Sequence, residues 1–128
     1  MARLTDDQLA LFRGTNYGVV ATVGADGAPQ QTIVWVDEEE GRPVFNTRYG
    51  RAKTDNLERD PRLSILVWEE SSPYRYVAVE GVAELEPDED GRHVHRISRK
   101  YTGRDFHTPV DRVIVRVTPR RVYDYVEQ

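Results

Sequence analysis

Apolar side chains recur at every second position in one short segment after another, and that period excludes most folds at once. Leu63, Ile65 and Val67 share one face of 63–68, and Val113, Val115 and Val117 share one face of 110–118. Residues 17–23 are rich in β-branched side chains, and Asp26-Gly27 supplies a hairpin turn into 30–36. Further strands are expected at Pro43 to Thr47, at Tyr76 to Glu86 with a bulge or bend at Gly81, and at Arg121 to Val126 beyond Pro119. About seven short strands with two or three small helices imply a mostly β chain of the antiparallel barrel or α+β kind. No Gly-rich strand-to-helix turn of a parallel doubly wound sheet is present.

The predicted helices are short. Thr5 reads as an N-cap with Gln8 three residues on, Asp6 and Asp7 fill the first turn, and Leu4 is placed to staple against Leu9. That helix should end near Gly14, and Leu9, Leu11 and Phe12 would cover one opening of a barrel. A second runs from Arg51 to Asp60 before Pro61, with only Ala52 and Leu57 apolar. A third lies within 87–103, with Val94, Ile97 and Tyr101 at helical spacing and Gly103 as its stop.

In 30–36 neither face is wholly polar. Gln31, Ile33 and Trp35 point one way, and Thr32, Val34 and Val36 the other. Such a strand suits a closed barrel or a subunit interface. Glu38, Glu39, Glu40 and Gly41 read as a solvated acidic turn, and Glu69 to Arg75 as a polar connection.

A length of 128 residues fits one domain. With 31% charged residues and a net charge of -4, no general polyanion-binding surface is implied, so nucleic acid is not expected as a partner. The absence of cysteine excludes disulfides and thiolate chemistry. No signal peptide or membrane span is read, and a cytoplasmic protein is expected. His93, His95 and His107 lack metal-pair spacing and read as surface residues, and no nucleophile elbow or P-loop occurs.

The stretch with chemical content is Phe45 to Trp68. Arg51 and Lys53 open a helix, where cations oppose the helix dipole but, with the unpaired first-turn amides, make a phosphate site. Surface ion pairs from Arg51 to Asp55 and from Asp55 to Arg59 are the competing account. Trp35 and Trp68 read either as core aromatics or as walls of a cavity for a flat ring, to which Tyr74 and Tyr76 of a neighbouring subunit would add.

Residues 25–68, and within them the R-x-K-x-x-N-L-x-x-D-P pattern of Arg51, Lys53, Asn56, Leu57, Asp60 and Pro61, resemble the pyridoxamine 5'-phosphate oxidase-like superfamily. More narrowly, the chain resembles the small coenzyme F420-dependent reductases of that PPOX class. The resemblance implies an FMN-binding split barrel and a homodimer with the cofactor at the subunit interface. It implies phosphate contacts from Arg51 and Lys53, with Thr47 as hydroxyl donor beside Asn46, and ring walls from Gln31, Ile33 and Trp35. Asn56 matches the motif and has a binding or a structural role. The implied activity is hydride transfer between the deazaflavin and a small unsaturated or conjugated substrate. Alternatives are an FMN-dependent oxidoreductase, a noncatalytic flavin- or deazaflavin-binding protein, and a small barrel with no cofactor. No catalytic side chain and no metal site are assigned, and the chain is too short for the C-terminal substrate region of true pyridoxamine phosphate oxidases.

Overall fold

A computed structural model describes residues 2–126. Its elements run α1 (Asp6–Arg13), β1 (Tyr17–Val23), β2 (Pro29–Glu39), β3 (Arg42–Arg48), α2 (Ala52–Arg59), β4 (Arg62–Glu69), β5 (Ser72–Pro87), α3 (Arg92–Thr102) and β6 (Arg112–Val126). The strands close into an antiparallel barrel in the order β1-β2-β3-β6-β5-β4, with β4 returning to β1.

Alternation explains the interior. Val20, Val34, Val36, Phe45, Ile65, Val67, Val77, Val79, Val115 and Val117 are buried together as one core, drawn from all six strands. α1 is fixed by the expected capping box: Thr5 Oγ1 accepts from the Gln8 amide and Gln8 Oε1 from the Thr5 amide. Its Leu11 and Phe12 enter the core, as does Leu57 of α2. α2 is held less by apolar packing than by polar ties. Asn56 Nδ2 donates to Thr22 Oγ1 at 3.0 Å, Thr54 Oγ1 to the Arg48 carbonyl at 2.7 Å, and Arg59 to the Val23 carbonyl at 3.1 Å.

Several boundaries differ from the sequence reading, each for a physical reason. The described residues form six strands, because β6 runs unbroken through Pro119. Pro119 pairs with Gly81 where the β5–β6 register shifts, so the missing N–H of proline falls at the bulge and breaks no regular ladder. The polar connection at 69–75 is a tight turn at Glu70 and Ser71, and β5 begins at Ser72. α3 starts later than Pro87, at Arg92. Asp88 accepts from the backbone N–H groups of His93 and Val94 and so organises its first turn. The acidic segment is no solvated turn throughout. Glu38 and Glu39 extend β2, Glu38 pairing with Arg13 and Glu39 with Arg96 and Arg116, and only Glu40 and Gly41, both at positive φ, make the turn.

At Gly81 a Cβ would lie 2.5 Å from the Thr118 carbonyl oxygen and 2.7 Å from Val117 Cγ1. Gly81→Ala is expected to destabilise the fold by about 1 to 3 kcal/mol, the usual cost of forced overpacking. Chemical denaturation checks this through the midpoint, and an unchanged midpoint would show that the β5–β6 ribbon gives way freely.

Candidate functional site

A cleft of about 440 Å³ opens between the outer side of β2, the end of β3, the start of α2, α3, and the loop that leads into β6. Local chemistry sets its rim. β3 ends at Arg48, whose carbonyl accepts from the Arg51 amide and the Thr54 hydroxyl, folding the chain sharply into α2. Gly50, at φ +89, makes that turn accessible. The Tyr49 amide donates to the Asp111 carbonyl at 2.9 Å and ties the turn to the start of β6.

Four cations face one another across this rim: Arg48, Arg51, Lys53 and Arg112 all line the cleft. Arg48 and Arg112 are register partners on β3 and β6, which puts two guanidinium side chains on directly opposed positions. Opposed like charges destabilise a sheet. Burial, and then the charges of Arg51 and Arg112, push the Lys53 ammonium below the ordinary lysine range. Arg112 is lowered in the same way, by burial first and Arg51 next. Among the described residues, the ion pairs include none that engages Arg48, Arg51, Lys53 or Arg112. The Arg51–Asp55 and Asp55–Arg59 pairs of the competing account are not formed among the described residues. The arrangement is electrostatically incomplete, and an anion is the chemistry that completes it.

Asn46 and Thr47 stand just behind the cations. Asn46 Oδ1 accepts from Arg112 Nε at 2.9 Å, while its Nδ2 donates to Asp88 Oδ2 at 3.1 Å and to His93 Nδ1 at 2.9 Å. His93 is therefore no surface residue: it is 6% exposed, packed beneath β3 and β6 on the inner side of α3. Burial lowers its pKa below the ordinary imidazole range.

The opposite wall is apolar and aromatic. Trp35 stacks on Tyr101 at 5.2 Å between centroids and meets the Phe106 ring edge-on at 6.4 Å, and Arg112 lies 4.7 Å over the Phe106 ring. Val94 and Ile97 of α3 and the 68%-exposed Ile33 of β2 extend it. α3 is anchored from behind. Lys100 Nζ donates to the Phe12, Arg13 and Val36 carbonyls, and the Tyr101 hydroxyl accepts from the Val36 amide at 3.0 Å. These side chains satisfy backbone groups at the end of α1 and on β2 just past its pairing with β1. Burial pushes the Tyr101 hydroxyl up to about 12. Thr32, also on the cleft, carries a buried hydroxyl oxygen with no partner among the described residues.

Of the residues singled out in the sequence, Ile33, Trp35, Asn46, Thr47, Arg51 and Lys53 come together in this cleft. Gln31 lies further along the same side of β2, exposed and outside it. Asn56 is buried under α2 against Thr22 and Arg59. Sequence reading missed Arg112 and Phe106, which reach the cleft only through the pairing of β3 with β6. Trp68 is half-buried on β4, in register with Tyr76 and away from the cleft. No group of three or more His, Asp or Glu among the described residues is placed to hold a metal. No helix among them is long and apolar enough to cross a membrane.

A closed antiparallel barrel carrying a cation-rimmed cleft beside an aromatic wall has clear relatives. The sequence model of the family described as pyridoxamine 5'-phosphate oxidase matches residues 4–125, and the chain belongs to that family, which binds flavin-type cofactors. A solved F420 reductase superposes with a TM-score of 0.84 at 28% identity, over 94% of this chain and 98% of its own. A conserved hypothetical protein from Mycobacterium tuberculosis superposes at 0.77 with 30% identity, over 95% of this chain and 84% of its own. General Stress Protein 26 from Bacillus anthracis shares the fold at 0.74 with 21% identity, over 94% and 92%.

Because the folded chain lowers the Lys53 pKa, the unfolded chain holds that proton more tightly. Stability from this residue thus rises as pH climbs from the depressed folded value towards the ordinary lysine value of about 10.4. Lys53→Met is expected to abolish that rise and to raise the melting temperature of the ligand-free protein by roughly 2 °C at neutral pH. The same variant should lose most of the stabilisation that excess pyrophosphate gives the wild type. Thermal melts with and without pyrophosphate check both statements; a variant less stable than wild type in its absence would assign Lys53 to the fold.

Proposed function

We propose that this chain is an F420-dependent oxidoreductase that transfers a hydride between the deazaflavin and a small unsaturated or conjugated substrate. The observation that carries the reading is the set of four unpaired cations at the mouth of a cleft whose other wall is apolar and aromatic. The cations suit a phosphate and an acidic tail, and the wall suits a flat tricyclic ring. Similarity to an F420 reductase over nearly the full length of both chains supports the deazaflavin in particular. FMN is the runner-up, favoured by the broader family match, because its phosphate would meet the same cations.

In this reading Arg51, Lys53 and Arg112 hold the phosphate, and Arg48 at the exposed rim meets further negative charge. Trp35, Ile33, Ile97 and Phe106 flank the ring and keep water from its face. The cofactor, when bound, supplies the hydride chemistry. The Tyr101 hydroxyl behind Trp35 is committed to backbone groups, and its high pKa withholds its proton. Solvent completes protonation of the substrate.

A second copy of the chain completes the site in this proposal. Ile33 stands largely exposed on the cleft wall, and Tyr74, Tyr123 and Tyr125 are exposed on the β5–β6 ribbon, so apolar surface remains to be covered. The assembly is a homodimer acting in the cytoplasm.

Titration of the purified protein with F420 and with FMN, followed by ring fluorescence, tests the cofactor. Binding of F420 at about micromolar Kd with negligible FMN binding is the expected result. Lys53→Ala should weaken F420 binding by about 1 to 3 kcal/mol, the range for a lost charged hydrogen bond. Preference for FMN would move the activity to the flavin, and failure to bind either would remove the oxidoreductase reading. Substrate-dependent oxidation of bound, reduced F420 separates an enzyme from a carrier.

A further inference from the structure

Asn46 lies on the cleft wall, yet both ends of its amide are engaged within the protein. Its oxygen takes the Arg112 Nε–H, and its nitrogen serves Asp88 and the His93 ring. The Asp88 carboxylate and the Arg112 guanidinium leave the amide only one orientation, since turning it over would set oxygen against carboxylate and N–H against N–H. His93 Nδ1 is consequently an acceptor, and the neutral ring carries its proton on Nε2.

We propose that His93, acting through Asn46, sets the orientation of Arg112 in the anion cleft, so that protonation of the imidazole releases Arg112 and weakens ligand binding there. This rests on the reading of the cleft as an anion site and adds a positioning relay to it.

The groups that face the ring come from four sides. Glu39 of β2 has Oε1 3.8 Å from Nε2, Arg96 lies on α3 itself, Asp88 precedes α3, and Arg116 projects from β6. Two carboxylates and two guanidiniums largely offset one another, and burial then favours the neutral ring. Nε2 has no hydrogen-bond partner among the described residues. A proton taken from solvent has one place to go, Nδ1, where it meets the Asn46 Nδ2–H. Donor then faces donor, and the gain of charge near Glu39 does nothing for that clash. Asn46 must swing away or turn over, and in either case Arg112 Nε loses its acceptor. Arg112 is left with the Phe106 ring as its remaining described support. Among the described residues, no other cleft cation is held by a side-chain amide, so the effect falls on Arg112.

The relay is testable without any cofactor. In the ligand-free wild type, NMR should show the Asn46 side-chain amide and the Arg112 Nε–H shifting with the same midpoint as the His93 ring, below the usual imidazole value of about 6.5. An Arg112 signal that stays still while His93 titrates would overturn the proposal, whatever the protein binds. His93→Asn sets an amide oxygen on Cγ where Nδ1 stands, so it keeps an acceptor for Asn46 but does not titrate. Ligands such as F420 and FMN carry their own ionisations, so the two proteins are compared at each pH. At neutral pH they should bind the ligand alike, and below the His93 midpoint the wild type should bind about tenfold more weakly than the variant. Identical profiles would also overturn the proposal. Coupled NMR shifts with no binding of F420, FMN or pyrophosphate at any pH would support the relay and defeat the reading of the cleft as a cofactor site.

Discussion

The pairing of β3 with β6 is the constraint on which the site depends. It lays Thr47 opposite Val113 and Arg48 opposite Arg112, bringing a cation from the last strand to the loop that already holds Arg51 and Lys53. Without it the chain has a basic turn, of which there are many among proteins. With it, four positive side chains surround one opening, two of them on opposed strand positions that repel each other. A fold accepts such a conflict where something else offsets it, and the strained electrostatics of Lys53 and Arg112 mark the same place.

Much of the fold was legible because its strands obey the simplest rule in protein structure. Period-two apolar residues placed β4 and the first half of β6 within a residue or two, β-branched residues placed β1, and the Thr5–Gln8 box placed α1. Three of the differences were non-local matters. Pro119 looks like a break until Gly81 is seen to face it across a register shift. Glu38 and Glu39 look like a solvated turn until Arg13, Arg96 and Arg116 arrive from three other elements. His93 looks like a surface residue because nothing adjacent in sequence says that Asn46 and Asp88 will enclose it.

The site shows the same division. Arg51 and Lys53 were conspicuous in the sequence as cations gathered at a helix start because they break a local preference. Arg112 was not, since it opens a strand, as many exposed arginines do. Its role follows from three contacts made after folding: Asn46 behind it, Phe106 beneath it and Arg48 opposite. Asn56, conspicuous in sequence as part of the basic motif, proves to be a structural tie between α2 and β1. A motif can owe its spacing to two jobs at once, one side chain facing the cleft and another fastening the helix that presents it.

The order of strands around the barrel bears on when the cleft exists. β1, β2 and β3 form one run of neighbours, and β4 and β5 another, joined by turns of a few residues; β3 meets β6 only after a long excursion of the chain. Contacts between distant segments carry the largest loop-closure cost and tend to form late. The cation-rimmed cleft is then a property of the closed barrel and absent from most partly folded forms. A ligand lodged between β3 and β6 would act as a clasp on the last seam to shut, lengthening the life of the native state while leaving the approach to it nearly unchanged.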